Sequence, residues 1–309
     1  MIHRTSQIAS WVATWVATWA SAGLLVACGG GGSSAPEAAA TLPATAASVT
    51  LSGTAAKGLM AHADVGVYAV NPDGSVAGTA LATTTTDTLG RYSLSFVGSN
   101  GQPVVVRVSA RADGSTTHAD EVTGTAQPLP AGFAMRSLVT PSASGAVLAN
   151  ASITPFSEMA VAAAVRASGG ITPANALQAI TTLSNQLGFN PINVAARTLG
   201  TASGNDEQML ALMLTVVSQL AQNGDLGCSG APNPGAKVTC VVEALGAASR
   251  SDSSQFGTGN ALLPQQLGAA LGKVLNSPAV RQGVSAALLV RLVASLGAAG
   301  IVLPPLLSP

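Results

Sequence analysis

Between residues 48 and 140, apolar and polar positions alternate with a period of two. Val104, Val106 and Val108 alternate with Val105, Arg107 and Ser109; Tyr92, Leu94 and Phe96 alternate with Ser93, Ser95 and Val97. Successive side chains of an extended chain point to opposite faces, so β-branched and aromatic residues at this period mark half-buried strands. Turn chemistry separates the runs at Asn71-Pro72-Asp73-Gly74, Asp87-Thr88-Leu89-Gly90 and Ser99-Asn100-Gly101. The pattern predicts strands over 48–53, 63–70, 76–84, 91–97, 103–110 and 133–139. Short strands with regular turns predict an antiparallel β-sandwich.

From Thr154 the period becomes helical. Thr154-Pro155, Thr172-Pro173 and Ser277-Pro278 each put a capping hydroxyl before a proline at the first helical position. Asn205-Asp206-Glu207-Gln208 reads as a capping box with acids at the positive helix end. Helices are predicted over 155–168, 173–187, 206–222, 238–249, 264–275 and 278–297, and Gly188 as a C-terminal stop. Leu177, Ile180, Leu183 and Leu187 share one helix face; Met209, Met213, Val216 and Leu220 share another. A Met/Leu stripe at this spacing reads as core. The fold class expected is therefore α+β with two domains, a β-sandwich at 48–140 and an all-α domain at 150–300, joined by few contacts. Residues 301–309, rich in proline, read as a loose tail.

Ahead of the strands the pattern changes again. His3 and Arg4 precede an apolar run from Ile8 to Ala27, the layout of a secretory signal over residues 1–27. Leu25-Val26-Ala27-Cys28 resembles a bacterial lipobox, which implies cleavage before Cys28 and lipid such as palmitate on its thiol. Gly29 after the cysteine resembles outer-membrane sorting in enteric-type bacteria, with periplasmic or surface exposure left open. An uncleaved N-terminal membrane helix is the other reading, since about 20 apolar residues span a bilayer. That reading leaves Cys28 and the following glycines without a purpose. Residues 28–47, made mainly of Gly, Ser, Ala, Pro and Thr, read as a flexible tether.

Composition narrows the function classes. The chain has 309 residues, 8% of them charged, and a formal net charge of zero. It carries no basic nucleic-acid footprint and no polybasic membrane patch. All three tryptophans fall at Trp11, Trp15 and Trp19. The core must therefore be built mainly from Ala, Val and Leu. Cys228 and Cys240 remain as a pair, and in an exported protein a disulfide is the default reading. Two cysteines without a histidine cluster make a poor zinc site.

Catalytic motifs are absent from the sequence: no G-x-S-x-G elbow, no S-x-x-K, no H-E-x-x-H and no phosphate-binding glycine loop. One repeat merits weighing. His62-Ala63-Asp64 and His118-Ala119-Asp120 share a His-x-Asp spacing that would put both side chains on one face of a strand. If the two segments met, His62, Asp64, His118 and Asp120 would offer four zinc-compatible ligands. The plainer expectation is that all four sit at solvated strand or loop ends, with no metal. Asp120-Glu121 likewise reads as a solvated turn rather than a general acid/base pair. No catalytic residue and no cofactor are assigned.

Three segments carry a family resemblance. Ala63-Asp64-Val65-Gly66-Val67-Tyr68, Thr86-Asp87-Thr88-Leu89-Gly90-Arg91-Tyr92-Ser93-Leu94 and Pro103-Val104-Val105-Val106 resemble the carboxypeptidase-regulatory-like domain, a transthyretin-like β-sandwich of exported bacterial proteins. The resemblance spans about residues 48–112. It implies a non-catalytic spacer, folding aid or binding module, and supplies no catalytic residue. Two function classes follow. One is a non-enzymatic cell-envelope lipoprotein, anchored in the membrane by its lipid and contacting protein or envelope glycan, not nucleic acid. The other is a metal-dependent or hydrolytic envelope enzyme built on His62, Asp64, His118 and Asp120.

Overall fold

A computed structural model describes residues 46–142, 145–301 and 303. The expected signal, Cys28 and nearly all of the expected tether lie outside the described residues, as does most of the expected tail. The period-two segments pair as expected. β1 (Ala46–Thr54) runs antiparallel to β5 (Arg91–Ser99) over its full length and parallel to the short β10 (Val147–Leu148). A second sheet has the order β4 (Val76–Thr85), β3 (Asp64–Val70), β6 (Val104–Ser109), β9 (Ala134–Val139), all antiparallel. A third, small sheet of β2 (Met60–Ala61), β7 (Thr117–Ala119) and β8 (Ala126–Pro128) has no counterpart in the sequence pattern, because its strands are too short to show a period.

The turn residues do what their chemistry requires. Asp87 Oδ1 accepts from the amides of Leu89 and Arg91, each at 2.8 Å. Gly90 takes φ 72°, in the left-handed region that favours glycine. This turn delivers Tyr92 into the core, where its hydroxyl donates to the Ala151 carbonyl. Alternation fails at Val105, expected on the solvent side but fully buried. The Val105 face of β6 is covered only at that end, since Arg107, two residues on along the same face, is exposed.

The helices begin at their caps. α1 (Pro155–Arg166) carries a capping box in which Thr154 Oγ1 accepts from the Ser157 amide at 3.2 Å and Ser157 Oγ accepts from the Thr154 amide at 2.8 Å. α2 (Pro173–Leu187) is capped by Thr172 and stopped by Gly188 at φ 78°. Its outer residue Leu177 faces solvent, whereas Leu183 and Leu187 are buried. α3 (Asn205–Asn223) lacks the expected capping box: its N-cap is Gly204, and Glu207 accepts instead from the Ser203 amide at 2.9 Å. Buried on nearly every side, α3 is the central helix. α4 (Pro234–Ala248) starts earlier than expected because Asn233 caps it, with Oδ1 accepting from the Ala236 amide at 2.9 Å.

α5 (Leu263–Asn276) is followed by two helices where one was expected. α6 (Pro278–Gly283) ends at a glycine, and Ser285 then caps α7 (Ala286–Ala298), accepting from the Leu288 amide at 3.2 Å. No helix among the described residues is long and apolar enough to cross a membrane. The expected disulfide joins Cys228, in a short 3-10 turn after α3, to Cys240 in α4, with Cα atoms 5.8 Å apart.

Strands precede helices along the chain, yet the boundary between them is packed rather than sparse. Described strands and helices belong to one compact unit, and one hydrophobic core runs from Val49 through Phe156 to Ile301. α1 lies against β9, and Arg136 on β9 is held by Glu158 on α1.

Candidate functional site

β2 and β7 pair in the register Met60↔His118, so the two His-x-Asp segments do meet. Their side chains do not converge. His62 falls between β2 and β3 with φ 59°, which breaks the strand alternation and leaves the imidazole exposed. Asp64 is exposed at the start of β3, 3.3 Å from Arg111 Nε. His118 points inward, 1% exposed, and Asp120 lies just past the end of β7. Among the described residues, no group of three or more His, Cys, Asp or Glu side chains is placed to hold a metal. The same-face expectation failed because neither His-x-Asp triplet lies within a single strand.

Contrary to the sequence expectation, the Asp120 and Glu121 side chains after β7 turn away from solvent, while residues 122–125 of the same turn are exposed. Asp120, 8% exposed, accepts from the Thr123 amide at 2.8 Å and the Val122 amide at 3.1 Å. One turn apart on α3, Ser218 and Gln222 reach this corner. Gln222 Nε2 donates to Asp120 Oδ1 at 3.1 Å, and Ser218 Oγ donates to Glu121 Oε2 at 2.5 Å. Burial pushes the Asp120 carboxyl up, but the Thr123 amide and hydroxyl, the Lys57 cation and the Val122 amide outweigh it and hold Asp120 below its ordinary range.

Lys57 completes the cluster from the other side. It occupies a tight turn before β2, with Gly58 at φ 63°. A Cβ on Gly58 would stand 1.8 Å from the Ala119 carbonyl oxygen, so only glycine lets this turn close over β7. The Lys57 side chain is fully buried; its Nζ donates to Glu121 Oε2 at 2.9 Å and to Ser218 Oγ at 2.6 Å. The Gly58 amide donates to Glu121 Oε1. Sequence reasoning missed Lys57 and Ser218 and took Glu121 for part of a solvated turn, because the three lie far apart along the chain and match no motif.

His118 stands beside this cluster with neither ring nitrogen hydrogen-bonded among the described residues. Burial first, and the Lys57 cation second, bring its imidazole down to about 4, against the pull of Glu121 and Asp120. At neutral pH it is an uncharged core side chain.

Lysine beside serine is a pairing that activates nucleophiles when substrate can reach the oxygen. Here Ser218 is fully buried, and neither it nor Lys57 lines the cavities described around them. One cavity, about 430 Å³, is bounded by Leu59, Leu199, Leu214 and Val280 with Asp120 and Glu121 at its side. A second, about 620 Å³, carries Arg91 and Arg197 and shares Leu59, Arg197 and Thr198 with the first. What the Lys57–Glu121–Ser218 arrangement accomplishes is attachment: it ties two turns of the strand region to the central helix. No family model matches this chain, and no curated protein or solved structure matches it.

Proposed function

We propose that this protein is a non-enzymatic envelope lipoprotein, anchored in the outer membrane through lipid on Cys28, that works by binding protein or envelope glycan. Its β region is a transthyretin-like sandwich of the carboxypeptidase-regulatory-like kind, followed by a helical domain joined to it through a packed boundary. The observation that favours binding over catalysis is the position of Lys57, Glu121, Ser218 and His118. These are the groups best suited to acid, base or nucleophile work; Lys57, Ser218 and His118 are buried, and Glu121, at the side of the cavity of about 430 Å³, is occupied by bonds from Lys57, Ser218 and the Gly58 amide. Catalysis needs such groups within hydrogen-bond reach of a substrate. The turn built by Asp87 and Gly90 supports the resemblance carried by the Thr86–Leu94 segment.

The test uses purified mature protein. Elemental analysis should find no stoichiometric zinc, and fluorophosphonate probes should leave Ser218 unlabelled. Stoichiometric zinc that disappears in His62→Ala/His118→Ala, or labelling lost in Ser218→Ala, would overturn the non-enzymatic reading.

A further inference from the structure

The register of the larger sheet sets Arg107 on β6 directly opposite Arg136 on β9. Like charges in that position repel. Glu158 compensates only one of them: Arg136 Nη2 donates to its Oε1 at 2.5 Å, Nε to Oε2 at 3.0 Å, and the Arg136 amide to Oε2 at 2.8 Å. Among the described residues Arg107 takes part in no ion pair, nor does Glu243 on α4. Both line the same cleft, of about 510 Å³, between the sheet and α4. An exposed cation and an exposed anion thus share a ligand-sized cleft without engaging each other.

The floor of this cleft has a specific shape. Tyr68 on β3 lies across Gly66 of the same strand; a Cβ there would stand 2.9 Å from Tyr68 Cε2 and 3.0 Å from its hydroxyl. Glycine therefore lets the phenol ring settle onto the sheet. Tyr68 is half-buried, whereas Tyr92, the other tyrosine, is in the core. Opposite the sheet, Thr239 and Glu243 are one turn apart on α4, so they face the same way. They share the cleft with the Tyr68 ring, the Arg107 guanidinium and the Arg136–Glu158 pair, so oxygen acceptors, an aromatic ring and a cation line one space.

We propose that this cleft binds a carboxylated saccharide. The carboxylate sits on the Arg107 guanidinium, whose fork matches it in a bidentate fashion. The apolar C–H face of the sugar ring packs on Tyr68, an aromatic body with a polar tip. Ring hydroxyls donate to Glu243 and Thr239. A bare anion would leave the ring and the acceptors unused, and a zwitterionic peptide would use one ammonium where the cleft presents several acceptors. The assignment rests on the binding-module reading for its purpose, and on this geometry for its ligand.

Titration calorimetry and amide-shift mapping on the mature protein test it with D-glucuronate, D-glucose, inorganic phosphate and dialanine. Glucuronate is expected to bind, with shifts at Tyr68, Arg107 and Thr239–Glu243. Affinity should fall about tenfold or more for glucose, and by a similar factor in Arg107→Gln and in Tyr68→Ala. Arg107 is exposed, so its replacement leaves the core intact and relieves a like-charge contact. Absence of glucuronate binding, equal binding of glucose, binding unaffected by Arg107→Gln, or tighter binding of phosphate or dialanine would each overturn the saccharide assignment. Loss of this site leaves zinc content and fluorophosphonate reactivity unchanged, so its failure is distinguishable from failure of the non-enzymatic reading.

Discussion

Lys57 Nζ lies 2.9 Å from Glu121 Oε2, with the lysine side chain fully buried and that of the glutamate 12% exposed. Two turns distant in sequence are held as a charged pair that Ser218 of α3 then bonds from below. Removing water from both charges is costly, so the pair's value lies less in net stability than in fixing how these segments meet. Removing one partner strands the other charge in the core.

Lys57→Met should therefore destabilise the fold by about 3–5 kcal/mol, leaving Glu121 unpaired. Lys57→Met/Glu121→Leu should recover most of that loss. Ser218→Ala should cost about 1.5–3 kcal/mol, the range for a hydrogen bond to a charged group. Urea denaturation of the single and double variants measures these terms. A double variant no more stable than Lys57→Met alone would show that packing, not charge, accounts for the loss.

His118 makes stability depend on pH. Its imidazole is brought from 6.5 down to about 4 by burial and by Lys57, so between these values the unfolded chain binds the extra proton. Stability is then full above the unfolded value and falls as pH drops towards about 4. The loss amounts to about 3 kcal/mol across that window. Asp120, held below its ordinary range, adds a loss at still lower pH. His118→Leu should flatten the curve between pH 6.5 and about 4 while leaving the lower limb in place. Urea midpoints taken through this range decide it; an unchanged slope in the variant would show that His118 is not the responsible group.

The Cys228–Cys240 bridge closes a short loop, with a sequence separation of 12, between the end of α3 and the body of α4. In the chain-entropy account such a closure contributes about 3 kcal/mol. Cys228→Ser/Cys240→Ser should lower the urea midpoint accordingly, and non-reducing peptide mapping should recover the two cysteines in one linked fragment. Two free thiols in protein purified without reductant would contradict the pairing.

Strands and helices should lose structure in one step, because Phe156, Met159 and the Arg136–Glu158 pair join α1 to the same core as β9. Far-ultraviolet circular dichroism and tyrosine fluorescence should give coincident urea transitions. Arg136→Ala should shift both midpoints together, by about 3 kcal/mol or more, since Glu158 would be left largely buried without its partner. Release of a stable fragment ending near residue 140 by limited proteolysis would show instead that the β region folds by itself.

Cys28 lies outside the described residues, and the lipidation proposed for it is tested in cells. Cys28→Ala should abolish labelling by a palmitate analogue, leave the precursor uncleaved and insensitive to globomycin, and change membrane fractionation. Processing and fractionation indistinguishable from the unaltered protein would exclude the lipobox.

Much of the architecture was legible in the chain by itself. Strand periods located β1, β3, β4, β5, β6 and β9, and the Thr-Pro pairs located the starts of α1 and α2. The Asp87–Gly90 turn and the pairing of Cys228 with Cys240 were also readable. These features are local, or constrained by having few possible partners, so a short window of sequence carries enough information. Tertiary structure decided where the charges went. Lys57 reads as a surface lysine until Glu121, 64 positions on, and Ser218, 161 positions on, close over it. Arg107 and Arg136 become opposed only through strand register, and Tyr68 comes to line a cleft only because α4 supplies part of its wall. His118 and His62 share a motif yet part company, one buried and one exposed, because positive φ at His62 ends the alternation the motif assumed. Periodicity reports which side of an element a residue takes; whether that side meets water or another element depends on segments far away in sequence.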